Sequence, residues 1–385
     1  METIKPSLIN LFLSFLKLGL TAFGGPAIVA HIKKMAVENR KLMDEETFSD
    51  GVALCQTIPG ATSMQASAYV GLRTRGLEGA IVSFVGFGFP SFLLMLLLSA
   101  LYKKTYTLPF IVSIFKGLQV IVVAIVANAT LFFARSSLKR WKDLIIIILS
   151  SGMFWFRVNP IIVIILSSLF GILLYKNQKI EKIQVIEKRK LYSKKSFLLL
   201  LISALLGFLA LFFIDKRLFE LAFLMLRIDL FAFGGGFASV PFMFHEVVDV
   251  RHWIDSRDFL NGIALGQITP GPVVITATFV GYLLFGPIGG VIATICVFLP
   301  SFFILIITVP YFDRIRRSPY FIKAISGIFS SFVGLLLSVT FKFGLNVHWG
   351  IHSFSIALLA FISLFFGVDI LWVVLGGALL SAFIL

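Results

Sequence analysis

The stretch Phe231-Ala232-Phe233-Gly234-Gly235-Gly236 interrupts an apolar segment that would otherwise predict a membrane helix. A second interruption, Gln267-Ile268-Thr269-Pro270-Gly271-Pro272, follows in the next apolar segment. Glycine inside a helix costs backbone entropy, and proline removes a hydrogen-bond donor and clashes with the preceding turn. We therefore expect both segments to be broken helices.

The same pair of interruptions occurs earlier in the chain. Thr21-Ala22-Phe23-Gly24-Gly25-Pro26 is followed by Gln56-Thr57-Ile58-Pro59-Gly60-Ala61. These interruptions and a series of further residues match at a nearly constant offset, which indicates an internal duplication. At an offset of about 210 residues, the matched positions include Lys17 with Arg227, Asp44 with Asp255, Phe48 with Phe259, Gln56 with Gln267, Gly76 with Gly286, Gly79 with Gly289, and Pro90-Ser91-Phe92 with Pro300-Ser301-Phe302.

The composition is that of a membrane protein. The chain has 385 residues, is 58% hydrophobic and has a mean hydropathy of +0.99. Apolar runs long enough to cross ~30 Å of hydrocarbon recur along it. The net charge of +15 lies mostly in loops. Because no nucleic-acid motif accompanies these cations, we interpret them as determinants of membrane orientation and expect no nucleic-acid partner. Cys55 and Cys296 are far apart in apolar segments, so we expect free thiols and no metal site.

Hydropathy predicts an all-α polytopic membrane protein with two homologous six-segment repeats joined by one extra transmembrane helix, about 13 segments in all. We place the N-terminal repeat at residues 1–176, a basic cytoplasmic linker with the connecting helix at residues 177–217, and the C-terminal repeat at residues 218–385. The predicted segments are residues 8–35, 48–72, 77–102, 107–134, 144–156, 160–175, 196–214, 218–244, 259–284, 286–310, 320–343, 350–366 and 368–385.

Counting these segments predicts the topology. If each half crosses six times, the extra span delivers the second half to the opposite side, so the two repeats are inverted. With the N-terminus inside, most loop cations lie in the cytoplasm, as the positive-inside rule requires. Lys33, Lys34, Arg40 and Lys41 would lie outside and count against this orientation. Re-entrant hairpins in place of full spans would change the count.

The breaks are candidate anion sites. Non-helical backbone survives in hydrocarbon only where it is buried in protein or lines a wet cavity. A break frees peptide N–H groups, and the half-helix that follows points its positive end at the gap. The alternative is that glycine allows close helix packing and proline only kinks the helix. Four breaks in two matched pairs favour binding, and the candidate substrate-binding residues are Lys17, Phe23, Gly24, Gly25, Pro26, Gln56, Pro59, Gly60, Arg227, Phe233, Gly234, Gly235, Gly236, Gln267, Thr269, Pro270, Gly271 and Pro272.

Charged residues near the breaks are further candidates. Lys17 and Arg227 precede the matched Gly-Gly pairs, where both could supply positive charge to one cavity; alternatively, Lys17 extends to the membrane interface. Asp229 either neutralises Arg227 or exchanges a proton. Further candidates for proton coupling are His31, His245 and Glu246, with an interfacial position and no role as the alternative for each.

The sequence carries no catalytic motif such as His-Glu-x-x-His, Gly-x-Ser-x-Gly or a phosphate-binding glycine loop. We therefore expect neither an enzyme nor a bound cofactor. Energy for transport would have to come from an ion gradient or from a separate subunit.

Two stretches resemble the chromate ion transporter family in its long two-domain form. The stronger match is Phe233-Gly234-Gly235-Gly236 together with the run at residues 264–272 that continues to residue 282; the weaker is Phe23-Gly24-Gly25-Pro26, His31 and residues 53–60. The resemblance implies export of chromate across the cytoplasmic membrane, driven by the proton-motive force and giving chromate resistance. It implies an oxyanion, protons and the lipid bilayer as partners, with a homodimer left open.

One position departs from the family pattern. Ala61 stands where the family more often has a second proline, which leaves open whether both halves contribute equally. Two other functions also stay open: a transporter or channel for sulfate or another anion on the same scaffold, and a membrane-embedded enzyme or assembly subunit. The last would need a polar catalytic cluster.

Overall fold

The computed structural model describes residues 6–23, 27–175, 192–312 and 318–384, and every regular element in those ranges is helical. Its α-helices are α1 Leu8–Thr21, α2 Ala27–Lys33, α3 Glu45–Thr57, α4 Thr62–Thr105, α5 Pro109–Ser137, α6 Trp141–Trp155, α7 Pro160–Leu174, α8 Lys194–Ile214, α9 Lys216–Leu230, α10 Gly236–Phe244, α11 Ser256–Ile268, α12 Thr276–Thr308, α13 Pro319–Leu345, α14 Ile351–Phe365 and α15 Ile370–Ile384. Short π-helical turns occupy Lys34–Asn39 and His245–Val250, and 3-10 turns occupy Val273–Ile275 and Val309–Tyr311.

The helices are interrupted where glycine and proline predict it. The chain leaves helical geometry between α3 and α4, between α9 and α10, and between α11 and the 3-10 turn that precedes α12. Gly60, Gly234, Gly235 and Gly271 in these gaps have φ angles of 117°, 104°, 77° and 102°, a region that side-chain-bearing residues rarely adopt. The break at residues 24–26 lies outside the described residues, between the end of α1 and the start of α2.

α4 and α12 each contain a sharp reversal, so each consists of two helical arms. Gly76 and Gly286, equivalent in the two repeats, have φ angles of 66° and 64° at these points. In α4 the two arms pack so closely that a Cβ on Gly71 would overlap the carbonyl oxygen of Gly79. The reversal separates the segments predicted at residues 48–72 and 77–102, and glycine is the residue that permits it.

Helix α3 begins with the N-terminal cap that the sequence predicts. Asp44 precedes α3, and its Oδ1 accepts a hydrogen bond from the Thr47 amide at 2.8 Å. This bond is the main reason why the pKa of Asp44 lies below its ordinary value. Asp255 repeats the arrangement ahead of α11, with its Oδ1 accepting from the Asp258 amide at 2.8 Å. The prediction that Asp44 caps this helix is confirmed.

The chain is a multi-pass membrane protein. Long apolar helices capable of spanning a bilayer are described at Thr62–Thr105, Pro109–Ser137, Lys194–Ile214, Val273–Tyr311 and Pro319–Leu345, and α1, α7, α14 and α15 are shorter apolar helices. α8 stands at the extra span predicted between the repeats, while most of the basic linker lies outside the described residues. The number of segments and the inverted orientation stay predictions.

The chain forms two compact units, and each unit contains parts of both repeats. The first unit comprises Met1–Leu97, Gln184–Ser239 and Thr269–Arg314, and the second comprises Leu98–Ile183, Val240–Ile268 and Ile315–Leu385. In the first unit, α9 packs against α12 and α8. The repeat boundaries that we place at residues 176 and 218 stay predictions.

In the second unit, α13 packs against α5, α6 and α7, and α5 packs against α14 and α15. Equivalent residues of the two repeats meet there. The hydroxyls of Thr130 and Thr340, which are 210 positions apart, form a hydrogen bond of 3.1 Å. Gly171 lies directly against Gly327, so the absence of a side chain allows these helices to approach closely.

Candidate functional site

Within the first unit, the breaks of one repeat are hydrogen-bonded to the other repeat. The Gly60 amide donates to the Ala232 carbonyl oxygen at 3.0 Å, and the Gly271 amide donates to the Ala22 carbonyl oxygen at 2.8 Å. We call residues 59–61 with Ala232 the first crossing, and residues 270–272 with Ala22 the second crossing. The two crossings use equivalent residues, because each repeat donates a glycine amide to an alanine carbonyl oxygen of the other.

Glycine is required at both crossings. With φ angles of 117° and 102°, Gly60 and Gly271 adopt backbone conformations that strain an L side chain. A Cβ would also meet the Ser301 hydroxyl at the first crossing and the Ser91 hydroxyl at the second. Conformation and space therefore both select glycine.

Equivalent serines contact the two crossings in different ways. At the first, the Ala61 amide donates to Ser301 Oγ at 2.7 Å. At the second, Pro272 occupies the place of Ala61 and has no amide hydrogen, and Ser91 Oγ instead donates to the Pro270 carbonyl oxygen at 2.5 Å. The departure from the Pro-Gly-Pro pattern thus changes the hydrogen bonding of the break, because alanine supplies a donor that proline lacks.

A buried carboxyl group completes the first crossing. Asp229 Oδ2 accepts hydrogen bonds from the Ser301 amide at 2.8 Å and from the Ser301 hydroxyl at 2.6 Å. The aspartate is 0% exposed. Its equivalent in the first repeat is Gly19, where a Cβ would clash with the Phe87 carbonyl oxygen. The second crossing therefore has no counterpart to this acid.

Gln65 was not predicted as a site residue, yet it lies at the first crossing. Its Nε2 donates to the Pro59 carbonyl oxygen at 2.7 Å, and the side chain is fully buried. Ser301 was also missed, although its place in the repeat was recognised. A polar side chain one turn after a Pro-Gly break, and a serine that follows proline in both repeats, were the available signals.

Several predicted residues lie on the surface of the first unit. Lys17, His31 and Gln56 are exposed, whereas Arg227 is half-buried on α9 and Asp229 is fully buried near the end of that helix. Among the described residues Asp229 makes no ion pair, so a simple Arg227–Asp229 pair is not observed. Gly24, Gly25 and Pro26 lie outside the described residues.

The remaining break residues lie close to the crossings. Phe23 and Phe233 are half-buried beside Ala22 and Ala232. Gly235 lies against Thr62, the first residue of α4, and Gly236 begins α10. Thr269 is buried and its hydroxyl lies 3.9 Å from Met95 Sδ.

His245, Glu246 and Gln267 belong to the second unit and are all buried. His245 Nδ1 lies 3.9 Å from an Asp249 carboxylate oxygen, and the same oxygen accepts from Lys342 Nζ at 2.6 Å. Glu246 Oε2 lies 3.7 Å from Arg251 Nε. Asp249 is therefore the centre of a cluster with Lys342 and His245, and Glu246 lies beside Arg251.

The geometry limits what the breaks can bind in this conformation. The amides of Gly60, Ala61 and Gly271 are all bonded to protein acceptors, so these three do not face a ligand. Helix N-termini still begin directly after the breaks, at Thr62 and Gly236, and such termini favour negative charge. In the described residues, no cluster of three or more His, Cys, Asp or Glu side chains could hold a metal ion.

The model of the Chromate transporter family matches the chain twice, at residues 9–172 and 219–382. The chain belongs to the chromate transporter family. The two matches coincide with the two repeats, and the resemblance seen in the sequence is thereby confirmed. No solved structure matches the chain.

Relatives within the chromate transporter family cover most of the chain. An uncharacterized transporter of Methanocaldococcus jannaschii is 46% identical over 91% of this chain and 88% of its own length. A probable chromate transport protein of Synechococcus elongatus is 30% identical, covering 86% of this chain and 83% of its own length. A chromate transport protein of Cupriavidus metallidurans is 27% identical, covering 85% and 80% respectively.

Proposed function

We propose that this protein is a secondary active transporter that exports chromate, or a closely similar tetrahedral oxyanion, across the cytoplasmic membrane. Transport is driven by the proton-motive force and confers chromate resistance. The observation that carries the proposal is the crosswise pairing of broken helices in the first unit of a chain that belongs to the chromate transporter family. Secondary transporters place substrate and coupling-ion sites at such breaks.

The anion binds beside the crossings in this proposal. The N-terminal turns of α4 and α10 begin at the breaks, where unpaired amides and the helix dipole favour an anion. Arg227, half-buried on α9, supplies positive charge to the anion, and the exposed Lys17 contributes less. Because the amides of Gly60, Ala61 and Gly271 are engaged here, their donation to substrate requires that a crossing opens during the cycle.

Proton coupling requires a group that exchanges a proton between the two sides of the membrane. Of the four candidates, Asp229 is buried at the first crossing, whereas His31 is exposed. His245 and Glu246 interact with charged neighbours in the second unit. These placements favour Asp229. The proposal includes the inverted repeats and the cytoplasmic N-terminus expected from the charge distribution of the loops.

Sulfate is the alternative substrate on the same scaffold. Chromate and sulfate share tetrahedral shape and double negative charge, and amide or guanidinium donors recognise both. The relative with 46% identity is described only as an uncharacterized transporter, so its name does not favour either anion. Competition between sulfate and chromate for uptake therefore decides which anion is the substrate.

The test is uptake of labelled chromate into inverted membrane vesicles energised to acidify the interior. We expect concentrative uptake that a protonophore abolishes and that sulfate inhibits only weakly. Uptake that persists without a gradient would contradict secondary transport. Stronger inhibition by sulfate than by unlabelled chromate would identify sulfate as the substrate.

A further inference from the structure

The two crossings occupy equivalent places in the repeats but differ in the groups that can respond to a proton. Asp229 and Ala61 belong to the first crossing, and their repeat equivalents at the second are Gly19 and Pro272. The first crossing therefore has a carboxyl group and an extra backbone N–H where the second has neither. The two crossings are therefore structurally equivalent but chemically different.

A continuous chain of hydrogen bonds joins the acid to the break. The Ala61 amide donates to Ser301 Oγ at 2.7 Å, and this hydroxyl donates to Asp229 Oδ2 at 2.6 Å. The Ser301 amide adds a second bond to the same carboxyl oxygen at 2.8 Å. All three residues are at most 1% exposed, so water does not compete for these bonds.

Two buried acceptors at this crossing lack a donor. Asp229 Oδ1 and Gln65 Oε1 make no hydrogen bond with any described residue. An ionised carboxyl group offers Oδ1 only as an acceptor, whereas a proton on the carboxyl group turns one oxygen into a donor. A buried ionised carboxylate without a cation is also costly, and a proton removes that cost.

Among the residues that the structure describes, no other group is placed to take this role. In that part of the chain, Ser301 and the nearby Ala61 amide are the groups that interact with the Asp229 carboxyl group. Among the elements packed against α9, α12 carries Tyr282 and Cys296 as its titratable side chains, and α8 carries Lys194 and Lys195 at its start. Neither the arginines of the first arm of α4, at positions 73 and 75, nor Arg227 on α9 forms an ion pair with the acid.

We propose that Asp229 is the proton-binding carboxyl group of the transport cycle, and that Ser301 transmits its protonation state to the break at residues 59–61. This inference rests on the proposed function. Asp229 takes a proton from water on one side of the membrane and returns it to water on the other, and no other bond forms or breaks. Since hydrogen bonds to an ionised carboxylate are roughly twice as strong as neutral ones, protonation weakens the hold of Ser301 on Ala61 and loosens the first crossing alone.

The first test follows the proton without following transport. A carbodiimide reacts with protonated carboxyl groups in apolar surroundings, and peptide mass spectrometry locates the adduct in the purified full-length protein. We expect labelling at Asp229 that falls as the pH is raised. In Ser301→Ala the midpoint moves to higher pH by about one unit, the equivalent of one charge-assisted hydrogen bond. Ser91→Ala, the matched change at the second crossing, leaves the midpoint unchanged.

The second test separates coupling from substrate movement. Asp229→Asn keeps the size and the hydrogen-bond acceptor but cannot ionise. We expect proton-driven accumulation of chromate to fall at least roughly tenfold in this variant, which corresponds to about 1.4 kcal/mol of lost driving free energy. Exchange of internal for external chromate, which needs no net proton movement, continues in the same variant.

Three results would overturn the proposal. They are absence of pH-dependent labelling at Asp229 in the unaltered protein, unimpaired proton-driven accumulation in Asp229→Asn, and protection of Asp229 by sodium with transport that requires sodium. The last would assign the site to a metal cation instead of a proton. If the unaltered protein moves no chromate but Asp229 shows the expected labelling, the proton site stands and only the substrate proposal fails.

Discussion

The amide of Ala61 and the hydroxyl of Ser301 lie 240 positions apart in the chain and 2.7 Å apart in the structure. This bond joins the break of the first repeat to a helix of the second. It exists because residue 61 is alanine, since the equivalent Pro272 has no amide hydrogen. Two differences between the repeats, Ala61 in place of Pro272 and Asp229 in place of Gly19, therefore link only the first crossing to a buried acid.

Replacing the crossing glycines should destabilise the protein. Gly60→Ala and Gly271→Ala each impose a strained conformation that costs roughly 1–3 kcal/mol, and each new methyl group overlaps a serine hydroxyl. We expect a lower thermal unfolding temperature in detergent for both variants. Gly207→Ala is the matched control, because a Cβ there meets nothing within 4 Å. Equal unfolding temperatures for Gly60→Ala and the control would contradict the assignment.

Arg227 should matter more for transport than Lys17, because Arg227 is half-buried and Lys17 is exposed. If Arg227 contacts the anion, Arg227→Ala loses a charged hydrogen bond of about 1.5–3 kcal/mol, which is roughly tenfold or more in the chromate concentration for half-maximal transport. Lys17→Ala should change it little. The comparison is made in vesicles with equal amounts of each variant, and a larger effect of Lys17→Ala would remove Arg227 from the proposed site.

The cluster around Asp249 should contribute to the stability of the second unit. Lys342 Nζ lies 2.6 Å from its carboxylate, and both side chains are at most 14% exposed. We expect Lys342→Ala to lower the free energy of unfolding by about 1.5–3 kcal/mol. The exposed pair Lys33–Glu45 is the control, and Lys33→Ala should cost much less, because water and salt screen an exposed ion pair. Thermal denaturation of both variants reveals whether burial makes this difference.

A buried polar network in the second unit should show coupled energetics. Gln119 Nε2 donates to Asn261 Oδ1 at 2.8 Å, and Asn261 Nδ2 donates to the Tyr102 hydroxyl at 2.9 Å. Either Asn261→Leu or Gln119→Leu leaves a buried polar group unpaired, at a cost of about 1–3 kcal/mol. The double variant should cost less than the sum, because it removes both members of one bond. Strict additivity would show that the bond contributes nothing.

The cap of α3 should depend on pH. Asp44→Ala should cost about 1 kcal/mol, measured by thermal unfolding, whereas the exposed Glu38→Ala should cost less. The Thr47 amide holds the pKa of Asp44 below its ordinary value. The contribution of the cap is therefore complete above the unfolded-state value of about 3.9 and is lost as the pH falls through the folded-state value. The difference between the unaltered protein and Asp44→Ala should shrink in acid and stay constant near neutral pH.

The sequence by itself determined the membrane character, the duplication, the helix breaks and the cap at Asp44. These features depend on hydropathy and on backbone preferences within a few residues, which are readable without neighbours. The prediction of Lys17 and Gln56 as site residues came from the same local pattern, and the structure leaves both side chains exposed.

Only the tertiary structure decided how the breaks pair. The sequence presents two breaks in each half, but the bonds from Gly60 to Ala232 and from Gly271 to Ala22 join opposite halves. The tertiary structure also places Ser301 and Asp229 beside the Pro59-Gly60-Ala61 break. Contacts between residues that are distant in the chain depend on the packing of whole helices, and no local propensity encodes that packing.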